Sequence, residues 1–313
     1  MLRSIAQVLA AGATFALLVC NPAMAEKPQA SKQEQQLTPT SKGYADAAEG
    51  LSVYYEIYGK GEPIVVLAGG LGNTASMAQV IGPLSRERQV IGIDLEGHGR
   101  TALRKTAMSH ERNGDDVAAV LKHLKIAKAD VAGYSHGGDA SLRMAIQHPA
   151  MVRNLIVIST AAERDGWYPE VLKGMEAVGA AQAEAMKKSP MYQRWYAPVA
   201  PHPEQFPVLL DRMGELMKKD YDWRPEIAKL RVPTLLLFAD HDAVSMRHIA
   251  EFFALFEGGV RDAGWEGKPK YARARLAIVP GYTHYNFGMG PDVARVIEAY
   301  LDQPTSQATQ FTP

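Results

Sequence analysis

The sequence predicts an α/β fold: a mainly parallel central sheet with helices on both faces and a helical cap inserted near one end of it. Three observations carry this expectation. Short continuous apolar runs recur at 64–67, 89–94, 154–158, 234–238 and 275–279, as strands covered on both faces require. Helical patterns near 74–85, 113–125, 136–149, 246–256 and 291–302 alternate with those runs, the signature of strand–helix–strand crossovers. One long segment, 161–229, has no credible strand and is broken by Pro190, Pro198, Pro201, Pro203 and Pro207.

From the start of the chain, residues 1–25 have the form of a secretory signal: Arg3, an apolar stretch over 5–19 and the cleavage-type triplet Ala23-Met24-Ala25. The apolar stretch is short for a membrane span and ends in Asn21-Pro22. No stable membrane insertion is therefore expected after cleavage, and the expected location is periplasmic or secreted. Cys20 is the sole cysteine and lies inside this segment. A lipoprotein signal would want a small residue where Val19 stands. The mature chain would hold neither a disulfide nor a thiol nucleophile. Residues 26–42 are polar and aperiodic, expected as a flexible linker, and 303–313 as a disordered tail. The 313 residues balance 34 basic against 34 acidic side chains, which excludes nucleic acid as the main partner, and the 47% hydrophobic content supports a sizeable core. The partner these features leave is a small-molecule substrate; they do not specify an oligomeric state.

The core is expected over 43–160 and 230–302, with 161–229 as the cap. Residues 51–58 alternate like an antiparallel edge strand. The run 64–67 leads into Ala68-Gly69-Gly70-Leu71-Gly72, where glycines let backbone N–H groups approach an oxyanion. The run 89–94 leads into Asp94-Leu-Glu-Gly-His-Gly-Arg-Thr101. Val131 and Ala132 then lead into Gly133-Tyr134-Ser135-His136-Gly137. That pattern is a strand-to-helix elbow that exposes a strained serine. Gly133 and Gly137 are needed there because a Cβ would strike the neighbouring strand or helix. The cap lies over the carboxyl ends of the strands, where ligands bind in open α/β sheets. It carries Trp167, Tyr168, Tyr192, Trp195, Tyr196, Phe206, Tyr221 and Trp223. These aromatics are expected to line an apolar acyl or aryl pocket, Trp195 and Tyr196 foremost, with plain packing as the rival reading. The run 234–238 leads into Ala239-Asp240-His241-Asp242, and 275–279 into Pro280-Gly281-Tyr282-Thr283-His284. Residues 257–273 lengthen the connection between the helix over 246–256 and the last strand and are expected to form a surface loop, with an oligomer contact as the alternative.

From about residue 44 to 302 the chain resembles the α/β-hydrolase family, with its glycine loop, Asp-x-x-Gly-His-Gly, Gly-x-Ser-x-Gly, acid loop and final histidine in family order. The resemblance implies Ser135 as nucleophile, His284 as its base and Asp242 as the acid that orients the imidazole. Asp242 is preferred to Asp240 because family strands continue as Gly-x-x-Asp and Ala239 takes the glycine position; Asp240 is expected to brace the loop. The backbone N–H groups of Gly70 and His136 are the implied oxyanion hole. No cofactor and no metal are implied. Of the other histidines, His98 has a structural place in the family, His123 and His148 lie near helix ends, and His241 and His248 belong to the acid loop and a helix. One departure is Ala68, where the family carries a histidine that organises the oxyanion loop.

The implied activity is hydrolysis of an ester or lactone of a small to medium apolar substrate through an acyl-enzyme. Alternatives on the same fold are a C–C bond hydrolase, a cofactor-free haloperoxidase, an aminopeptidase, or a non-catalytic ligand-binding member. A cation at Asp240-His241-Asp242 lacks any accompanying helical His-Glu-x-x-His site.

Overall fold

The computed structural model describes residues 37–262 and 273–302. The expected signal, the linker up to residue 36, the tail and the centre of the 257–273 segment lie outside the described residues.

Eight strands form one sheet in the order β1-β2-β4-β3-β5-β6-β7-β8. They are β1 (Ser41–Asp46), β2 (Ser52–Tyr58), β3 (Glu62–Leu67), β4 (Arg88–Ile93), β5 (Ala129–Tyr134), β6 (Val152–Ile158), β7 (Thr234–His241) and β8 (Ala274–Thr283). β1 pairs with β2 and β2 with β4 in antiparallel fashion; all other neighbours are parallel. Two sequence expectations need correction here. The linker does not run to residue 42, because Ser41 and Lys42 already pair with Ile57 and Glu56. For the same reason the 51–58 strand is not the edge. β1 covers it, a strand with no apolar run of its own that is held by main-chain pairing to its neighbour.

Strand alternation sends side chains to two separate cores. Val65, Leu67, Val131, Leu155, Val157, Leu236 and Phe238 face α2 (His110–His123), α3 (His136–Gln147) and α8 (Met246–Leu255). Ile64, Val66, Val90, Ala132, Ile156, Ile158 and Leu237 face α1 (Ala78–Leu84) and α10 (Pro291–Leu301). The strands are apolar on both faces because both faces are covered.

Between β6 and β7 the chain forms α4 (Pro169–Glu176), α5 (Ala183–Met186), a π-helical turn over Tyr192–Tyr196, α6 (Phe206–Lys218) and α7 (Arg224–Ile227). Tyr196, Phe206, Leu209, Leu210, Met213 and Leu216 bury one another in a third, smaller core, against Leu71 and Met108 of the main unit. Asn73 clasps this segment to the glycine loop, its Nδ2 donating to the Trp195 carbonyl at 2.7 Å. Among the described residues, no helix is long and apolar enough to cross a membrane.

Candidate active site

Ser135 stands between β5 and α3 with φ 53° and ψ −118°, a left-handed conformation unfavourable to a side-chain-bearing residue. The surroundings enforce it. Its N–H donates to the Ile158 carbonyl at 2.9 Å, and its carbonyl accepts from the Thr160 hydroxyl at 2.7 Å. A Cβ on Gly137 would lie 2.6–2.7 Å from the carbonyl oxygens of Ala68 and Leu67, and one on Gly133 would overlap the Gly137 backbone. The elbow thus fits only because strand and helix touch backbone to backbone.

His284 opens a short helix, α9 (His284–Phe287), directly after β8. Its Nε2 lies 3.1 Å from Ser135 Oγ, and its Nδ1 lies 2.9 Å from Asp242 Oδ1. Tyr134 Oη donates to the His284 carbonyl, and the edge of Trp167 meets the imidazole with centroids 5.4 Å apart. Ring, tautomer and position are therefore constrained from three sides.

Asp242 is buried and fully engaged. Beside His284 it accepts the Val244 N–H at 3.2 Å on Oδ1. On Oδ2 it accepts the Ser159 hydroxyl at 2.5 Å and the Ala239 N–H at 3.1 Å. Burial alone would push this carboxyl up, but the hydrogen bond and charge of His284, the Ser159 hydroxyl and the Ala239 N–H outweigh it, and the group stays below the ordinary carboxylate range. Asp240 does something else: its Oδ1 accepts the N–H groups of Gly281 at 2.9 Å and Tyr282 at 3.3 Å, tying the acid loop to the histidine loop. Ser159 went unnoticed in the sequence, although it follows directly on an apolar strand run, where functional groups collect.

Gly69, Gly70, Ser135, His136 and His284 line one cavity of about 530 Å³. Despite Ala68, the glycine loop is closed by a Gly72 N–H to Gly69 carbonyl bond of 3.0 Å and capped by Asn73, whose side chain accepts from Ser76. A Cβ on Gly69 would press on the Tyr134 ring at 2.9 Å and on the Ser135 Cβ at 3.4 Å, so the loop backbone lies hard against the serine.

The cavity wall differs from the aromatic pocket expected. Trp167 and Tyr221 line it, but Trp195, Tyr196 and Trp223 do not. Tyr196 packs on Phe206 and Tyr192, and Trp223 stacks on Tyr221 within the main core. Seven methionines take their place: Met77, Met175, Met186, Met191, Met213, Met217 and Met289. Methionine at helical spacing looks like ordinary core in a sequence; here Met175 of α4, Met186 of α5 and Met213 and Met217 of α6 reach the cavity instead.

Five further histidines have other surroundings. His98 donates from Nδ1 to the Glu96 carbonyl at 2.8 Å and stacks on the buried His136 ring. Burial, with His98 and His110 nearby, pushes the His136 ring well below its ordinary pKa. His148 pairs with Asp115 at 2.8 Å, and His241 is exposed beside Asp240. Glu163, His248 and Glu251 bring three potential ligand atoms within 4.8 Å of one another. However, His248 Nε2 accepts the Ala162 N–H at 3.0 Å. Its Nδ1 then carries the proton and has no lone pair for a metal.

A family model for the alpha/beta hydrolase fold matches residues 62–206. The RutD protein of Azorhizobium caulinodans is 30% identical over 258 residues, covering 77% of this chain and 91% of that protein. 3-Oxoadipate enol-lactonase 2 of Acinetobacter baylyi is 26% identical over 217 residues, covering 63% of this chain and 79% of the lactonase. Among solved structures, the carboxylesterase CesB of Bacillus subtilis superposes with a TM-score of 0.63 at 19% identity, over 84% of this chain and 91% of that one. At that identity the superposition speaks to fold alone.

Proposed function

Because the chain belongs to the α/β-hydrolase family and is an enzyme of the hydrolase type, we propose that it cleaves a carboxylic ester or lactone of a small to medium apolar substrate, with Ser135, His284 and Asp242 as its catalytic triad. The observation that carries this reading is the continuous hydrogen-bond line Ser135 Oγ–His284 Nε2–His284 Nδ1–Asp242 Oδ1, at 3.1 and 2.9 Å, on the wall of an apolar cavity.

In this mechanism Asp242 accepts the Nδ1 proton of His284 and leaves Nε2 with its lone pair facing the serine. As Ser135 Oγ attacks the substrate carbonyl, Nε2 takes the hydroxyl proton. The oxygen that becomes negative is met by the N–H groups of Gly70 and His136, the second at the positive end of α3. Collapse expels the alcohol, which leaves with the proton held by His284. Water then attacks the acyl-enzyme by the same route in reverse and frees the acid. A cavity of about 530 Å³ lies within the range of small-ligand sites, and its methionine walls favour an apolar acyl or alkyl group.

The test is turnover of p-nitrophenyl esters of graded acyl length and of simple lactones, combined with fluorophosphonate labelling mapped by peptide sequencing. Hydrolysis with a chain-length optimum, and label on Ser135 alone, are expected. Label on another residue, or no turnover of any ester or lactone, refutes the proposal.

A further inference from the structure

One helical turn beyond Ser135, the same cavity wall carries a polar cluster that the proposed mechanism does not use. Asp139 is held to the elbow by its N–H, which donates to the Ser135 carbonyl at 3.0 Å. It is 8% exposed and lines the cavity, as does His110, also 8% exposed, at the start of α2. His110 Nδ1 stands 3.5 Å from Asp139 Oδ2, and His136 Nδ1 stands 4.0 Å from it. Neither contact is a hydrogen bond. Behind them Asn113, fully buried, donates from Nδ2 to His136 Nε2 at 3.2 Å.

The cluster is short of partners. Among the described residues, seven buried side-chain polar atoms lack a hydrogen bond, and five of them lie here: His98 Nε2, both nitrogens of His110, Asn113 Oδ1 and Asp139 Oδ1. Buried polar groups are normally paired, and leaving one unpaired is costly. Two of the residues concerned, His110 and Asp139, line the cavity, so an occupant that supplies hydrogen bonds would meet side chains whose needs the protein leaves unmet. A wall meant only for an alkyl chain would need an apolar residue at 139, like the methionines elsewhere in the lining.

We propose that Asp139 and His110 form a recognition subsite for an uncharged hydroxyl or amide group on the substrate, about one helical turn from Ser135 along the cavity. This rests on the hydrolase reading above and narrows its substrate class to esters or lactones with a second polar function. Hydroxyl and amide groups both donate and accept, so either can complete a carboxyl and an imidazole that do not reach each other. A charged group fits poorly. The only ion-pair partners in range of Asp139 among the described residues are the two imidazoles. Burial pushes His110 down to about 4 and His136 well below its ordinary value, while it pushes the Asp139 carboxyl well up. Burial thus works against charge on each of these three side chains.

The test measures binding without turnover, so it stands apart from the ester-hydrolysis experiment. In the Ser135→Ala chain, dissociation constants are measured by calorimetry for three p-nitroanilides of equal length: hexanoyl, 5-hydroxypentanoyl and 5-aminopentanoyl. The hydroxyl compound is expected to bind at least about 10-fold more tightly than the hexanoyl one, with the ammonium compound weakest. Adding Asp139→Leu should bring the hydroxyl-to-hexanoyl ratio near one, whereas adding His148→Gln should leave the ratio as it was. If circular dichroism shows Asp139→Leu unfolded, His110→Phe serves in its place and should lower the same ratio. Equal affinities in the Ser135→Ala chain, a ratio that either substitution leaves untouched, or tightest binding of the ammonium compound overturns the proposal.

Discussion

Replacing Asp242 with Asn tests the triad at its most constrained member. Each carboxylate oxygen of Asp242 accepts two hydrogen bonds: Oδ1 from His284 and Val244, Oδ2 from Ser159 and Ala239. An asparagine must put its NH₂ on one side or the other, and both sides are lined with donors. If the NH₂ faces Ala239 and Ser159, two buried donors lose an acceptor and the local loop is strained. If it faces His284, the imidazole must turn its Nδ1 lone pair inward, so its proton moves to Nε2 and the ring no longer accepts from Ser135. The second arrangement gives up the longer Val244 bond of 3.2 Å but keeps the Ser159 and Ala239 bonds, and is the expected one. A wrong tautomer in a triad of this type costs about 10⁴-fold in kcat, or about 5 kcal/mol of transition-state stabilisation. Loss of a charge-assisted bond costs about 1.5–3 kcal/mol of stability. Asp240 provides the internal control. It accepts the Gly281 and Tyr282 N–H groups through Oδ1 alone, a role an asparagine carbonyl can fill, so Asp240→Asn should cost no more than about 3-fold. The assay is kcat/KM on p-nitrophenyl butyrate, paired with a thermal melt. An Asp242→Asn enzyme within tenfold of wild type, or an Asp240→Asn enzyme equally impaired, refutes this reasoning.

Other substitutions separate the cavity from the core beneath it. Tyr196→Ala, which removes a buried ring packed on Phe206 and Tyr192, should cost about 3–5 kcal/mol of stability and leave the preferred acyl length unchanged; a shift in that preference would return Tyr196 to the pocket. Met213→Ala, at a side chain facing both the cavity and Gly70, should instead move the optimum up by about two methylenes, and an unmoved optimum would show that α6 does not limit the acyl site. Burial holds His110 and His248 each down at about 4 from an ordinary 6.5. Between those values the unfolded chain binds protons that the folded chain refuses, so stability is complete above 6.5 and is lost as pH falls toward 4, by on the order of 2–3 kcal/mol per histidine. Urea midpoints at pH 7 and 4.5 should therefore differ less in His248→Gln than in wild type, and an equal difference in both would refute the assignment.

What the sequence revealed depended on how local the signal was. The elbow was legible because Gly133, Ser135 and Gly137 stand within five residues of one another, although the contacts that hold them come from Leu67, Ala68, Ile158 and Thr160 far along the chain. The loops bearing Asp242 and His284 were legible because each follows a continuous apolar strand. β1 was invisible for the opposite reason: Ser41–Asp46 has no apolar pattern, and its place comes from pairing with β2. The cavity wall was misjudged because aromatic content does not say which way a ring faces. Tyr196 and Trp223 turned inward to packing, while Met175, Met186 and Met213 reached the cavity. His110 and Asp139 were passed over because their significance is a missing partner, which no sequence displays. A carboxylate immediately after Gly137-Gly138, on a helix packed into the core, was nonetheless a usable hint.

The two halves of the site are built from materials of opposite stiffness, and this explains why one half could be read and the other could not. At Ser135 a left-handed backbone, costing roughly 1–2 kcal/mol, is held by contacts with no freedom to yield: glycine backbone on strand backbone, and hydrogen bonds from Thr160 and to Ile158. Around the cavity, α4, α5 and α6 present unbranched methionines whose three rotatable bonds adapt to what they enclose. Rigid geometry is needed where a proton moves over about 3 Å, since small displacements there cost rate. Adaptable walls suffice where only apolar area is covered. Within that yielding surface, Asp139 is fixed to the rigid half through its bond to the Ser135 carbonyl. On the proposed subsite, selectivity would belong more to Asp139 and His110 than to the methionines. Exchanging methionines should change how large a group is accepted, and exchanging Asp139 should change which chemical group is preferred.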